Sequence, residues 1–438
     1  MRISSGMIHD AGVSAINRQT SDLFHNQQQL ATGRRVLSPA DDPVASASAL
    51  VVNQALDMNG MYGKANGRSM ELLGYAEGQL QSASDLMLSV RTLAVQAGNN
   101  TALNDNDRQA IAQQLRASFD QLMGIANARD ANGQFIFSGY MGDTQPFSGT
   151  ADSGVRYFGD DGQRMLQVSP SQQVAVSQSG NNVFNRVPSG NGQLTTAYGP
   201  NNGGSGIVIN SSVTAENNWT SVNNSGNLEV RFWVDPSVTP NPTYYDLVDA
   251  STNPPVSLFT GTQSIASGSG NTYTHSYVPG RPIDFNNLAV PYNDFGATVT
   301  ISGSPVNGDS FSVKRSTSQS VFDTLRNLIG ALERPTNIGA NNKARLDGDI
   351  ASALNNLDQA NQNFLTERTR IGASMNQLQA LSSLNGSVDL QYQQNLSNLQ
   401  DVDYAKTISD MTRLQTQLQA AQQSFVKVSN LSLFNYIN

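Results

Sequence analysis

The 438-residue sequence predicts a mainly α-helical protein with an inserted β domain. Near both ends of the chain, apolar side chains recur every three or four residues, which is the spacing of long helices that pack side by side. The middle is rich in Gly, Pro, Asn, Ser and Thr and holds short alternating segments, which are typical of antiparallel β structure. We therefore expect the two flanks to form long antiparallel helices, as a coiled coil or bundle, around a central antiparallel β insertion.

The N-terminal flank contains three stretches with helical spacing. The first carries Val13, Ile16, Leu23 and Leu30, which are three or seven residues apart. The same rhythm continues over 72–97 and 111–125, so that three helices are predicted before the middle of the chain begins.

The segment "GRRVLSPADDPV", residues 33–44, separates the first two helices. Gly33 suits the end of a helix, and Pro43 suits the first turn of the next one because its missing N–H costs nothing there. Asp42, and Asp41 beside it, can accept hydrogen bonds from the free N–H groups of that turn. No histidine or third carboxylate lies nearby in sequence, so we interpret the acid pair as a helix cap and turn rather than a metal or acid–base site.

The middle of the chain changes character twice. From about 133 to 187, short β-prone runs appear: "QFIFSGY", "VRYFG", "MLQVS" and "QVAVSQSG". From 188 to about 315, turn residues separate "GIVINSS", "LEVRFWV", "YYDLVD", "NTYTHSYV" and "ATVTISG". This even spacing predicts antiparallel strands, with Trp219 and Trp233 in the core of the β domain.

Helical spacing resumes at "QSVFDTLRNLIGAL", near residue 319, and continues from 350 to 402. An unbroken helix over 350–402 would be roughly 80 Å long. Its weakest point is Gly386, since glycine inside a helix costs about 1 kcal/mol relative to alanine. Met411, Leu414, Leu418, Phe425 and Val428 end the chain with the same rhythm.

These patterns predict three domains. Residues 1–42 with 401–438 form a terminal coiled coil, and residues 43–187 with 316–400 form a long-helix bundle that carries β-hairpins. Residues 188–315 form a β-rich outer domain.

Composition excludes several classes of function. The chain has no cysteine, a net charge of −8, 38% hydrophobic residues and 14% charged residues. The negative charge argues against a nucleic-acid or anionic-membrane partner, and no apolar run is long enough for membrane insertion. The N-terminus lacks the apolar core of a secretory signal peptide.

We find no catalytic, cofactor-binding or metal-binding motif. The run "LNDNDRQAI" at 103–111 begins like a calcium loop, but it lacks the glycine and the final glutamate of that motif, and we interpret it as a helix cap by Asn104 or Asp105. "FGDDGQR" at 158–164 is interpreted as a turn between strands. The three histidines have no partner at zinc-site spacing, and no serine lies in a G-x-S-x-G elbow.

The two ends of the chain, 1–32 and 404–438, form only two apolar strips, with Gln, Thr and Ala at many inward positions. Two such helices cannot bury enough surface to be stable alone, so we expect them to pack against other subunits. The predicted assembly interface consists of Val13, Ile16, Leu23, Leu30, Met411, Leu414, Leu418, Phe425, Val428, Leu433, Phe434 and Ile437.

Four segments resemble the flagellin-like family of bacterial flagellar proteins. They are the first 50 residues with "SPADDPVA", the stretch 101–147 with "NGQFIFSGY", "SPVNGDSFSV" at 304–313, and "LQAAQQSFVKVSNLSLFNYIN" at 418–438. The resemblance covers about 1–187 and 304–438, whereas 188–303 matches nothing. The segments fit the hook–filament junction members of the family better than flagellin proper, which begins differently and usually ends in a Leu-Leu-Arg type tail.

The resemblance implies a structural, non-enzymatic component of the flagellum. Such a protein is exported by the flagellar type III apparatus without a cleaved signal peptide and forms a homo-oligomeric ring. Its implied neighbours are the first hook-associated protein and flagellin, and a cytoplasmic export chaperone is implied to bind the segment 404–438. No cofactor is implied.

Three other interpretations remain open from the sequence. The chain could be a flagellin that builds the filament itself. It could carry an enzyme in 188–303, although the acidic residues there form no recognisable motif. It could also be a phage-tail or secretion-tip coiled-coil protein, but such a protein would not share the "DDPVA" and "NGQFIFSGY" landmarks.

Overall fold

The computed structural model describes residues 5–99, 103–266, 271–292, 294–335 and 340–434, without the side chains of residues 5, 8, 340 and 429–434. The chain forms two compact units. The terminal unit comprises residues 1–67, 167–172 and 378–438, and the central unit comprises 68–166 and 173–377. The three-domain division drawn from the sequence remains a prediction.

Helices α1 (Ser5–Thr32) and α7 (Tyr404–Phe434) belong entirely to the terminal unit. The long helices α2 (Pro43–Ala97) and α6 (Ala340–Gln400) contribute residues to both units. Helix α6 is continuous through Gly386, where an added Cβ would meet no atom within 4 Å. The long second-flank helix predicted from the sequence is therefore confirmed, and it ends at Gln400 rather than at 402.

The helical part of the central unit consists of α2 from residue 68, α3 (Asp105–Ala126), α5 (Val321–Glu333) and α6 up to residue 377. Asn104 forms a capping box at the start of α3, and the Ser320 side chain accepts a hydrogen bond from Phe322 N at the start of α5. The cap predicted for Asn104 is thus confirmed. Ion pairs join α2 to α6 through Arg91 and Asp358 at 2.8 Å and through Glu77 and Arg368 at 2.7 Å.

Short strands follow α3. Strands β1 (Phe147–Thr150) and β2 (Gly154–Tyr157) form one antiparallel pair, and β3 (Met165–Ser169) and β4 (Gln172–Ala175) form another. A single-turn π-helix covers Asn181–Asn185, and β5 (Val187–Pro188) pairs with β15 (Ser318–Gln319). The predicted turn at 158–164 lies between β2 and β3, as expected.

Phe184, on the π-helix, lies at the centre of an aromatic cluster. Its ring centroid lies 5.3 to 6.0 Å from the centroids of four other rings, those of Phe137, Phe147, Phe322 and Phe364. These rings come from the segment before β1, from β1, from α5 and from α6, and Phe184 itself is fully buried. Aromatic packing therefore holds β1, the segment before it and the π-helix against helices α5 and α6.

The β-rich part of the central unit contains two further sheets. In the larger sheet the strand order is β10-β9-β8-β14-β6, with β11 also paired to β9, and the smaller sheet has the order β12-β13-β7. The pairs within both sheets are antiparallel, as the sequence predicts. The strands are β6 (Leu194–Tyr198), β7 (Ile207–Val213), β8 (Asn227–Val234), β9 (Thr243–Asp249), β10 (Val256–Ser257), β11 (His275–Ser276), β12 (Pro282–Asp284), β13 (Ala297–Ser302) and β14 (Ser310–Arg315).

One hydrophobic core joins these two sheets. Phe232 and Leu247 of the larger sheet share it with Val299 and Ile301 of the smaller sheet. Trp219, on the four-residue helix α4 (Glu216–Trp219), also lies in this core and is buried. The fold class predicted from the sequence, long terminal helices with a central antiparallel β region, is therefore confirmed.

Two local predictions were wrong. The run "QFIFSGY" at 134–140 forms turns and isolated bridges instead of a strand, although Phe135, Ile136 and Phe137 are buried. Burial without strand pairing gives the same apolar signal in the sequence. Trp233 lies outside the core: it is only half-buried and stacks on Tyr244 with the ring centroids 5.9 Å apart.

Replacing Phe184 by alanine should lower the free energy of unfolding of the central unit by about 3–5 kcal/mol, because the substitution removes a buried ring from the centre of the cluster. Denaturant unfolding, followed by the fluorescence of Trp219 and Trp233, measures this change. Phe158→Ala is the matched control because Phe158 is 51% exposed. Equal losses in the two variants would contradict the importance of the cluster.

Candidate assembly surface

The connections between helices in the terminal unit meet at a joint, which we define as residues 33–42 and 399–403. Helix α1 ends at Thr32, and Gly33 has a φ of +71°, a left-handed conformation that favours glycine. Gly33 O accepts a hydrogen bond from Val402 N at 2.9 Å, and Arg35 N donates to Gln400 O at 2.6 Å. The joint thus fixes the end of α1 beside the end of α6.

Asp41 and Asp42 have different roles in this joint. One Asp41 carboxylate oxygen, Oδ2, accepts hydrogen bonds from Leu37 N at 2.9 Å and Ser38 N at 2.7 Å, which closes the turn before α2. Asp42 Oδ1 accepts from Ala45 N at 2.9 Å in the first turn of α2, which begins at Pro43. Asp41 therefore shapes the turn, and Asp42 is the residue that caps the helix.

The charge of Asp42 also contributes to the joint. Its Oδ2 accepts from Arg35 Nη1 at 3.1 Å, and Arg35 Nη2 donates to Leu399 O at 2.9 Å. The hydrogen bond from the Ala45 backbone, and then the one from Arg35, hold the pKa of Asp42 below its ordinary value. The hydrogen bond from the Ser38 backbone lowers the pKa of Asp41 in the same way.

Within the described residues, no three His, Cys, Asp or Glu side chains lie close enough together to hold a metal ion. His25 Nε2 lies 3.8 Å from Asp41 Oδ1. The backbone N–H groups and Arg35 are hydrogen-bonded to three of the four oxygens of the acid pair, so their geometry is that of a structural turn.

Beyond the joint, α1 and α7 run antiparallel and pack against each other. Near the start of α1 the rings of His9 and Phe425 lie 4.9 Å apart. A Cβ added to Gly12 would come within 2.8 Å of the Phe425 ring, so the absence of a side chain at Gly12 makes room for this ring.

The predicted interface residues fall into three groups. Half-buried positions are Ile16, Leu23, Leu30, Met411, Leu414, Leu418 and Phe425, whereas Val13 and Val428 are exposed. Leu433 and Phe434 lie in α7, but their side chains are outside the described part of the chain, as is the whole of Ile437. Among the described side chains of α1 none is buried, and in α7 only Thr407 is buried. The two helices leave most of their surface accessible even when paired.

The terminal unit as a whole has little core of its own. Its buried apolar side chains, among those described, are Val36, Ala45, Ala49, Val168, Leu378 and Val402. In contrast, large apolar side chains are exposed on each of its four helical segments, and we call this set the exposed apolar surface: Met7, Val13, Phe24, Val44, Leu50, Val51, Met58, Met61, Leu384, Leu390, Tyr404, Ile408, Val426 and Val428. The sequence analysis missed the α2 and α6 members, although Val44, Val51 and Met58 are spaced by seven residues.

Polar packing further weakens this unit. Asn66 is 1% exposed, and neither polar atom of its side chain has a hydrogen-bond partner among the described residues. Gln19 Oε1 and Asn385 Nδ2 are likewise buried without a partner in the described part of the chain. Burying such groups without a partner costs free energy.

Asp42→Ala should lower the melting temperature of the terminal unit at pH 7, because the start of α2 loses its cap and Arg35 loses its partner. Since the folded-state pKa of Asp42 is lowered, its stabilising effect is present above the ordinary carboxyl pKa and is lost as the pH falls through the lowered value. The difference between the variant and the unmodified chain should therefore shrink in acid. Circular dichroism melts from pH 7 down to pH 2.5 measure it.

Asp57→Ala serves as the control because Asp57 is an exposed aspartate in the middle of α2. A difference for Asp42→Ala that stays constant with pH would contradict the assigned cap.

Comparisons with known proteins agree with the helical structure found at both ends of the chain. Residues 3–141 match the bacterial flagellin N-terminal helical region, and residues 354–437 match the bacterial flagellin C-terminal helical region. Together the two matches cover just over half of the chain.

None of the helices in the described part of the chain combines the length and the hydropathy that a membrane span requires.

Two proteins named flagellar hook-associated protein 3 match more of the chain in sequence than the Bacillus subtilis flagellin does. The Escherichia coli K12 protein is 24% identical over 99% of both chains, and the Salmonella typhimurium protein is 33% identical over 43% of this chain and 58% of its own length. The crystal structure of the flagellar junction protein FlgL from Legionella pneumophila, 26% identical, covers 81% of this chain and all of that chain with a TM-score of 0.67. The match to the Bacillus subtilis flagellin covers 33% of this chain. The chain belongs to the flagellin-like family of bacterial flagellar structural proteins, in its hook-associated protein 3 branch.

Proposed function

We propose that this protein is the adaptor that joins the flagellar hook to the filament, and that its terminal unit becomes stably packed only inside the assembled ring. The exposed apolar surface is the observation that carries the proposal. Burying one large aliphatic or aromatic side chain contributes about 1.5–3 kcal/mol, so a set of this size strongly favours association.

Ordering and assembly are coupled in this proposal. Fixing the backbone of a residue costs roughly 1–2 kcal/mol, and α1 and α7 recover little of this through their half-buried contact. Neighbouring copies supply the missing apolar partners. In the free subunit the same helices pack weakly, which also suits export of the chain in an unfolded state.

An adaptor between the hook and the filament must contact a different protein on each side. The first hook-associated protein lies on the hook side, flagellin lies on the filament side, and copies of this chain form a ring between them. Before export, a cytoplasmic chaperone covers the apolar positions of 404–438 and prevents premature association. Export then proceeds without a cleaved signal peptide, the protein resides in the extracellular flagellum, and it has no enzymatic activity.

The second candidate is a flagellin that builds the filament. A flagellin should polymerise alone into long filaments, whereas an adaptor should not, so electron microscopy of the concentrated purified protein separates the two functions. The shorter match to flagellins favours the adaptor.

Deletion of residues 418–438 tests the proposed adaptor role. The deletion removes Phe425 and Val428, and we expect cells to carry intact hooks without filaments and to release flagellin into the medium. Electron microscopy of hooks and immunoblots of the medium measure the two effects. The truncated protein must itself be detected outside the cell, because its retention in the cytoplasm would indicate failed export rather than failed assembly.

Normal filaments on cells that export the truncated protein would contradict the adaptor role of this segment.

Phe24→Asp tests the exposed apolar surface directly. Phe24 is 60% exposed, so the free subunit should keep its melting temperature while assembly of the junction is lost. Leu88→Asp is the matched control because Leu88 is 50% exposed but lies on the central unit, outside the proposed surface. Motility and filament counts measure the outcome. Full motility with Phe24→Asp, or equal loss with Leu88→Asp, would contradict the assignment.

A further inference from the structure

The β-rich part of the central unit contains a cleft that the junction function does not use. The cleft has a volume of about 340 Å³ and lies beside β9, β11 and β12. Its floor includes Tyr245, Phe259 and His275, and its rim includes Arg281 and Asp284. A volume of this size lies at the lower end of the range for small-ligand sites.

The floor of the cleft is aromatic and firmly held. Tyr245 and Phe259 pack partly against the hydrophobic core between the two sheets. The His275 ring stacks on Phe259 with the centroids 3.7 Å apart and lies 5.6 Å from the Tyr245 ring. Burial lowers the pKa of His275, which favours the uncharged imidazole, and this ring extends the aromatic floor.

The rim carries two charged side chains, Arg281 and Asp284, that are not paired within the described part of the chain. Among the described residues, neither the Arg281 guanidinium nor the Asp284 carboxylate forms a hydrogen bond or an ion pair. Both side chains are near the Tyr245 hydroxyl: burial raises the pKa of Tyr245, Asp284 raises it further and Arg281 lowers it. A free donor and a free acceptor therefore flank one aromatic floor.

We propose that this cleft binds a neutral saccharide. A sugar ring presents an apolar C–H face to an aromatic floor and hydroxyl groups, each both donor and acceptor, to a guanidinium and a carboxylate. The two rim charges cancel, and the chain as a whole has a net charge of −8, so an acidic sugar is disfavoured. Asn286 and Asn287, which also line the cleft, add amide donors and acceptors.

Saturation-transfer difference NMR on the full chain tests the proposal, with cellotetraose, maltotetraose and triacetylchitotriose as neutral probes and trigalacturonate as the acidic one. We expect transfer to at least one neutral probe and none to trigalacturonate. Arg281→Ala and Asp284→Asn, which change exposed side chains, should each weaken that binding at least about tenfold, because the first removes a charged donor and the second replaces a charged acceptor by a neutral amide.

Lys314→Ala and Glu216→Gln are the matched controls, since each removes one charge of the same sign from an exposed residue outside the cleft. Both should bind as the unmodified chain does. Absence of transfer to all three neutral probes, binding of trigalacturonate alone, or unchanged binding by the two rim variants would each overturn the proposal. Hook–filament assembly can remain normal in every one of these variants, so this test is independent of the adaptor function.

Discussion

The structure depends on an unequal distribution of buried apolar surface. The central unit buries whole aromatic side chains, such as Phe184 and Phe232, whereas the terminal unit buries a few small or medium apolar residues and leaves large ones exposed. The hydrophobic effect scales with the apolar area removed from water, so the central unit stabilises itself and the terminal unit does not do so to the same degree. The apolar area that the terminal unit exposes to water is unfavourable in the free subunit, and it is available for burial against neighbouring copies in the proposed ring.

The joint at 33–42 and 399–403 determines where this surface is presented. Gly33, Asp41 and Asp42 satisfy backbone groups at the ends of helices, and Arg35 links them to the end of α6. The connection between α1 and α2 is hydrogen-bonded to the connection between α6 and α7. The end of α1 and the start of α7 therefore lie side by side at the joint. The acid pair thus acts through geometry rather than through chemistry, and its lowered pKa values are the electrostatic consequence of capping and ion pairing.

The sequence predicted some of these features and missed others for identifiable reasons. Heptad spacing revealed α1, α6 and α7, because the apolar residues on one face of a helix recur every three or four positions whatever that face packs against. The exposed residues Val44, Val51 and Met58 of α2 show the same spacing, but periodicity does not distinguish a face that is covered within the chain from one that is left open. "QFIFSGY" shows the same ambiguity in the β region, since turns can bury Phe135 and Phe137 as fully as a strand can. The cleft beside β9, β11 and β12 had no sequence signal, because its residues come from separate strands and loops.

By itself, the amino-acid sequence determined the order helix–β–helix, the turn chemistry of Gly33 and Pro43, the family, and the shortage of apolar residues in the terminal strips. These are local properties, set by residue type and spacing along one chain. Only the tertiary structure decided that Asp42 caps α2 while Asp41 closes the turn, that Trp219 is buried while Trp233 is not, and that the exposed apolar surface extends over α2 and α6. The physical reason is that burial and hydrogen bonding depend on which segments meet in space, and residues such as Arg35 and Leu399 are separated by most of the chain.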